Sequence, residues 1–358
     1  MERRHYIDNL RWMAVLFLFV YHACMVWNDF GEGFYVWAGG NGILTYVITF
    51  CYPIYMPLLF CLAGISTKYA LRKRSYSAYF KERFLRLGLP FLTGILLLVP
   101  VQTYYAEVFH NGYTGSYWQQ YALFFTKNTD FTGYKGGVTL AHLWFILFLL
   151  IISIVGLFII GINEKIGFNK RIGKSDFNFI LAIVVPILLL WLTAPMLEYM
   201  AGKSIVKYLV CFLLGYYLMA DDRIVNVCKD YWSLMGSMYL VLNIFHLIMF
   251  SFYGFTRGLL YNLLSVSVSW LGILSAIGVG KRWLNFANKL TLYFTKASYP
   301  YYLLHQTVLV VVAYFVLTYL RGVALQFTLI VVVSFLLTAL LYEIVCRIPH
   351  LRTLFGIK

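Results

Sequence analysis

An all-α integral membrane protein, with about ten transmembrane helices in one bundle and both termini cytoplasmic, is the fold class this sequence predicts. Three observations predict it. The 358 residues are 61% hydrophobic and only 12% charged, with a mean hydropathy of +0.76, far from the balance of a soluble domain. The apolar runs are long enough to cross about 30 Å of hydrocarbon as helices, and the residue-by-residue alternation of an outer-membrane barrel is absent. The basic residues crowd into alternate short connecting segments.

Spans are expected near residues 9–28, 43–70, 87–105, 140–162, 177–195, 204–220, 232–253, 259–279, 299–320 and 324–346. The opening MERRHYIDNLRW resembles a signal-peptide n-region, but the run after it carries Arg11 and His22 and has no small-residue cleavage site, so it is expected to stay as the first span. The second span holds Pro53 and Pro57, which free backbone carbonyls that need partners inside the protein; such a broken helix is expected to line a cavity. After the third span comes the longest outer loop, 106–139, which begins with Glu107. Its run GYTGSYWQQYALFF reads as a short amphipathic surface helix, whose aromatic residues suit membrane anchoring or, beside Gln119 and Gln120, a sugar ring. Further along, His142 opens AHLWF. His246 has only Asn243 as polar company and reads as a bundle histidine with its hydrogen bonds satisfied. Glu343, four residues before Arg347, is expected to form an intrahelical ion pair. Cys24, Cys51, Cys61, Cys211, Cys228 and Cys346 show no metal-ligand or CxxC spacing and read as buried small hydrophobes; no metal site is expected.

The basic residues set the orientation. With the amino terminus inside, only Lys127, Lys135, Lys203, Lys207, Arg257 and Arg321 of the 29 face outside, while Lys165, Lys170, Arg171, Lys174, Lys358 and the rest face the cytoplasm. The net charge of +15 therefore belongs to membrane topology and not to nucleic-acid binding. No repeat, low-complexity tract or soluble appendage interrupts the chain, so residues 1–358 read as a single transmembrane domain.

The spacing of Arg11 and His22 carries the most chemistry. On an α-helix eleven residues make three turns plus about 20° and rise about 16 Å, so the two share a face at different depths, with Asp8 and Asp29 near it. An ionisable residue in a span marks a functional site by default, and histidine handles protons near neutral pH. A histidine satisfied inside the bundle is the alternative at this point. The basic segment Arg72, Lys73, Arg74, Lys81, Arg83 and Arg86 allows two readings, anchoring to anionic lipid or binding a phosphorylated cytosolic ligand; Arg83 and Arg86, three apart, favour a shared target.

The segments RWMAVLFLFVYH, PLLFCLAG followed by KERFLRLGLP, AHLWF and SYPYYLLH, in this order, resemble the type 3 membrane acyltransferases over nearly the whole chain. The opening, MPLLF and LLLVPVQTYY look closest to the glucan biosynthesis protein C group, which succinylates periplasmic glucans. The resemblance implies a multi-pass protein of the inner membrane. It would move a succinyl or acetyl group from cytoplasmic acyl-CoA, its co-substrate, to a hydroxyl of an extracytoplasmic or lipid-linked glycan, with no metal. It makes His22 the general base, with Arg11 and Asp8 in the catalytic set, gives the basic residues from Arg72 to Arg86 to the CoA phosphates, and gives His142, Trp144, Ser298, Tyr301 and His305 to the substrate. Where many members have Ser-Gly, this chain has Ala63-Gly64, with Ser66 the nearest hydroxyl. Two other classes compete. One is a proton-coupled transporter or flippase, in which His22 relays protons and Glu343 is the one clear acid of the later spans; the other is a catalytically silent membrane partner. No residue assigns the acyl group, the acceptor or the oligomeric state.

Overall fold

The computed structural model describes residues 3–30, 34–167, 179–199, 203–255 and 258–357; the predicted topogenic residues Lys170, Arg171, Lys174, Arg257 and Lys358 lie outside them. The described residues are mostly helical. The helices are α1 (His5–Met25), α2 (Gly42–Leu71), α3 (Tyr76–Arg83), α4 (Leu89–Leu97), α5 (Val99–Asn111), α6 (Tyr117–Thr126), α7 (Trp144–Ile166), α8 (Phe179–Thr193), α9 (Ile205–Tyr217), α10 (Asp222–Asp230), α11 (Trp232–Tyr253), α12 (Leu259–Trp283), α13 (Lys289–Tyr319), α14 (Val323–Arg347) and α15 (Pro349–Leu354). A π-helical turn, Phe84–Gly88, joins α3 to α4, and a two-stranded hairpin pairs Glu198 with Ser204 and Tyr199 with Lys203. Among the described residues seven helical runs are long and apolar enough to cross a membrane: α2, the run from α3 through α5, α7 with its preceding turn, and α11 to α14. The protein is thus a multi-pass membrane protein. In α1, Asp8, Asn9, Arg11 and His22 dilute an otherwise apolar run. Helices α8 and α9 have 15 and 13 residues, each roughly 20 Å long, because the chain leaves the helix for the hairpin and Ser204 caps the start of α9 by accepting from the Lys207 N–H.

The chain divides into two compact units. The first comprises residues 1–11, 49–83 and 148–291. Within it, α2 and α9 cross at the closest approach two helices allow: a Cβ on Gly64 would collide with the Phe212 carbonyl, and one on Gly215 with the Cys61 carbonyl. The Gly of Ala63-Gly64 is therefore a packing residue. Several side chains in this unit donate to the backbone. Pro57 has no N–H for the carbonyl of Pro53, and the Ser269 hydroxyl donates to that carbonyl instead. Asn243 Nδ2 donates to the Phe50 carbonyl at 3.0 Å, Trp270 Nε1 to the Ala182 carbonyl at 3.0 Å, and buried Asn9 caps the end of α12 through the carbonyls of Leu284 and Phe286 at 2.6 and 2.9 Å. The broken span is thus sealed by neighbouring side chains at Pro53.

The second unit comprises residues 12–48, 84–147 and 292–358. Its core gathers Val26, Trp27, Phe34, Leu309, Ala313 and Ile330. Gly112, at φ 61°, ends α5 in the left-handed region that favours glycine, and the predicted surface helix follows as α6. There the two glutamines have structural duties: Gln119 closes a capping box with Ser116, and buried Gln120 donates to the Gly136 carbonyl at 2.8 Å. Trp118 is 74% exposed, as a membrane anchor would be.

Candidate active site

Three histidines meet in the second unit. The last turn of α1 carries His22, the 3-10 turn Ala141–Leu143 carries His142, and α13 carries His305. His22 Nδ1 lies 2.9 Å from His305 Nε2, and His305 Nδ1 lies 2.6 Å from the Tyr302 carbonyl. His142 Nε2 lies 2.9 Å from the Leu303 carbonyl, and the Tyr302 hydroxyl donates to the carbonyl of His142 itself. The His142 and His305 rings meet edge to face at a centroid distance of 5.4 Å. Phe19 and Phe34 supply an apolar wall, 5.7 Å from the His305 ring and 6.3 Å from the His22 ring.

Backbone strain positions His142. Ala141 has φ 47°, a left-handed conformation that costs an alanine about 1–3 kcal/mol, and its N–H is held by Thr139 Oγ1 at 3.1 Å. Behind the histidines lies a fully buried amide network: Gln102 Nε2 donates to Thr307 Oγ1 at 2.8 Å and points at His142 Nδ1 at 3.4 Å, Gln306 donates to Gln102 Oε1 at 3.0 Å, and Thr307 donates to the Leu98 carbonyl at 3.1 Å. His305 and His142 are 0% and 5% exposed, whereas His22 keeps part of its surface open, and its Nε2 has no hydrogen-bond partner among the described residues. An imidazole with one nitrogen anchored and the other accessible in an apolar setting is suited to accept a proton. No carboxylate contacts any of the three rings among the described residues, and no group of metal-ligating side chains occurs there.

Of the residues predicted from sequence, His22, His142 and His305 come together. Trp144 is buried at the start of α7, with its ring against Phe145. Ser298 back-bonds weakly to the Thr295 carbonyl at 3.4 Å, and Tyr301 packs among Phe294, Phe335 and Tyr342. Glu343 does not form the expected intrahelical pair with Arg347; it accepts instead from the Tyr293 hydroxyl on α13 at 2.8 Å. Asp29 is not on the α1 face, because α1 ends at Met25. His246 is packed against Tyr261 at 5.0 Å, but its buried Nδ1 has no hydrogen-bond partner, so the satisfied histidine expected there is not found.

In the first unit, Asp8 bridges Arg3 at 2.8 Å and Arg11 at 3.3 Å, and Arg11 Nη2 donates to Ser66 Oγ at 2.7 Å. Of the basic segment, Arg74 pairs with Glu82, Arg83 donates to the Tyr79 hydroxyl at 3.0 Å, and Arg72 lies over the Tyr69 ring at 5.2 Å. Lys73 and Lys81 are exposed and unpartnered among the described residues. The π turn that begins at Phe84 removes the α-helical spacing that put Arg83 and Arg86 on one face.

Sequence reasoning missed Gln102, Tyr302, Gln306 and Thr307. The available signal was their polarity within apolar runs, with Gln306 and Thr307 directly after His305.

A family model described as an acyltransferase domain, that of the type 3 acyltransferases, matches residues 4–343. No curated protein and no solved structure matches the chain. The chain belongs to that acyltransferase family, and it is an acyltransferase.

Proposed function

We propose that this acyltransferase takes an acyl group from cytoplasmic acyl-CoA and places it on a hydroxyl of an extracytoplasmic or lipid-linked glycan, with His22 as general base. The observation that carries the reading is the partly open side chain of His22, whose Nδ1 is engaged by His305 while its Nε2 is unclaimed among the described residues. The hydroxyl proton passes to that nitrogen as the oxygen attacks the thioester carbonyl, a step worth about 10²–10⁴-fold. Arg11 and Asp8 are tied to each other and to Ser66, and act by holding the cytoplasmic part of α1 in place.

In this reading α1, α8 and α9 join the seven long helical runs to make ten spans, the two short helices seating in a locally thinned bilayer. Both termini are cytoplasmic, the membrane is the inner one, and residues 1–358 form one acyltransferase domain. The CoA phosphates are held by the segment Arg72, Lys73, Arg74, Lys81, Arg83 and Arg86, with Lys73 and Lys81 the cations that need give up no contact. A succinyl donor and a periplasmic glucan acceptor follow from the likeness of the opening, MPLLF and LLLVPVQTYY segments to the glucan biosynthesis protein C group.

The test is transfer from a panel of radiolabelled acyl-CoAs by purified protein in proteoliposomes supplied with periplasmic glucan. Label moving from one donor into the glycan is the expected result. Glycan or lipid translocation without any acyl-CoA would favour the transporter reading instead.

A further inference from the structure

The geometry points to His305 as a positioning residue that fixes the tautomer of His22: it holds the proton of His22 on Nδ1 and leaves the Nε2 lone pair to act. The inference rests on the reading of His22 as the base.

It follows from the backbone inward. A carbonyl oxygen only accepts, so the 2.6 Å contact between His305 Nδ1 and the Tyr302 carbonyl places a proton on that Nδ1. His305 is wholly buried and no carboxylate contacts it among the described residues, so it is neutral, and its Nε2 carries a lone pair. Among the described residues the only group facing that lone pair at hydrogen-bond distance is His22 Nδ1, at 2.9 Å, which must therefore carry a proton. A neutral His22 then has its own lone pair on Nε2. His142 is fixed in the same way. The Leu303 carbonyl fixes a proton on His142 Nε2, and the remaining lone pair on Nδ1 faces the Gln102 amide N–H₂. Both histidines are thus set by carbonyls of successive residues, Tyr302 and Leu303, of one helix.

In the reaction the acceptor O–H gives its proton to His22 Nε2, the oxygen–carbonyl carbon bond forms, the carbon–sulfur bond breaks, and the leaving thiolate recovers the proton from Nε2. Throughout, His22 Nδ1–H donates to His305, so the ring keeps one orientation.

Two substitutions separate positioning from packing. His305→Asn keeps an amide near the Tyr302 carbonyl but ends short of His22; His305→Gln carries an acceptor oxygen out to the place of Nε2. The expected result is a fall in kcat of roughly 10²–10⁴-fold in His305→Asn with KM changed less than about twofold, and recovery to within about tenfold of wild type in His305→Gln. The second readout is 15N NMR of histidine-labelled protein in lipid, with His22 assigned by its loss in His22→Gln; it is expected to show the proton on Nδ1 in wild type. A proton on Nε2 in wild type, or a His305→Asn protein with wild-type kcat, overturns the inference. Should His305→Asn fail to fold, the wild-type spectrum decides alone. A His22→Ala protein that keeps wild-type turnover beside an Nδ1–H spectrum refutes His22 as the base while leaving the tautomer in place, so the two failures are distinct.

Discussion

The two units use buried polar side chains in opposite ways. In the first, Ser269, Asn243, Trp270 and Asn9 each donate to a main-chain carbonyl, two of them on the proline-broken helix α2 and one pair at the end of α12. In the second, carbonyls of α13 orient two histidines, one of which grips a third whose outer nitrogen is left unclaimed. A polar residue in a span is therefore not in itself a sign of chemistry. The sign is an unclaimed atom that can be reached: in the first unit the unclaimed Asn243 Oδ1 and His246 Nδ1 are buried, whereas in the second the unclaimed nitrogen belongs to the partly open His22.

Four substitutions probe this difference between the two units. His22→Ala is expected to reduce transfer by at least roughly 10²–10⁴-fold while stability falls only by about 1–3 kcal/mol, because the wholly buried His305 Nε2 loses its donor. A loss of folded protein large enough to account for the lost transfer would make His22 a packing residue like those of the first unit. Gly64→Ala is expected to cost about 3 kcal/mol in denaturant titration, because the new methyl meets the Phe212 carbonyl, which belongs to a helix backbone and cannot swing aside. A variant as stable as wild type would show that α2 and α9 can separate. Ser269→Ala leaves the Pro53 carbonyl without its donor and is expected to cost about 1–3 kcal/mol while kcat per folded molecule stays at the wild-type value. A fall in kcat would give the first unit a chemical role. The smallest effect is expected for His246→Leu. Its buried Nδ1 has no partner to lose, so stability should hold or rise slightly and turnover should not change. Lost activity there would break the rule that unpaired and accessible are different things.

Much of the fold was legible because a membrane imposes one solution on long apolar runs: a helix lies at each of the ten predicted spans, and the aromatic loop helix is α6. Length was less legible than position. Nothing in the apolar pattern of 177–220 announced that the hairpin at Glu198–Ser204 would shorten the helices on either side. Within the candidate site, residue types were visible and partnerships were not. His22, His142 and His305 stand out as polar residues in apolar surroundings, yet they lie more than a hundred residues apart in sequence, and the atoms that set their protons are the carbonyls of Tyr302 and Leu303, which no side-chain pattern encodes. Gln119 and Gln120 show the same from the other side: their places in a capping box and on a glycine carbonyl are not visible in the run of tyrosines and tryptophan around them. Glu343 misled because an i,i+4 partner is readable along one helix, whereas Tyr293 belongs to another.

The measurement closest to the central claim is thiol release from acyl-CoA in a single turnover, by wild type and His22→Ala side by side, with both proteins shown to be folded by their melting curves. Release from one donor by wild type, lost in His22→Ala with donor binding retained, is the predicted result. Equal rates of release from the two proteins would contradict it.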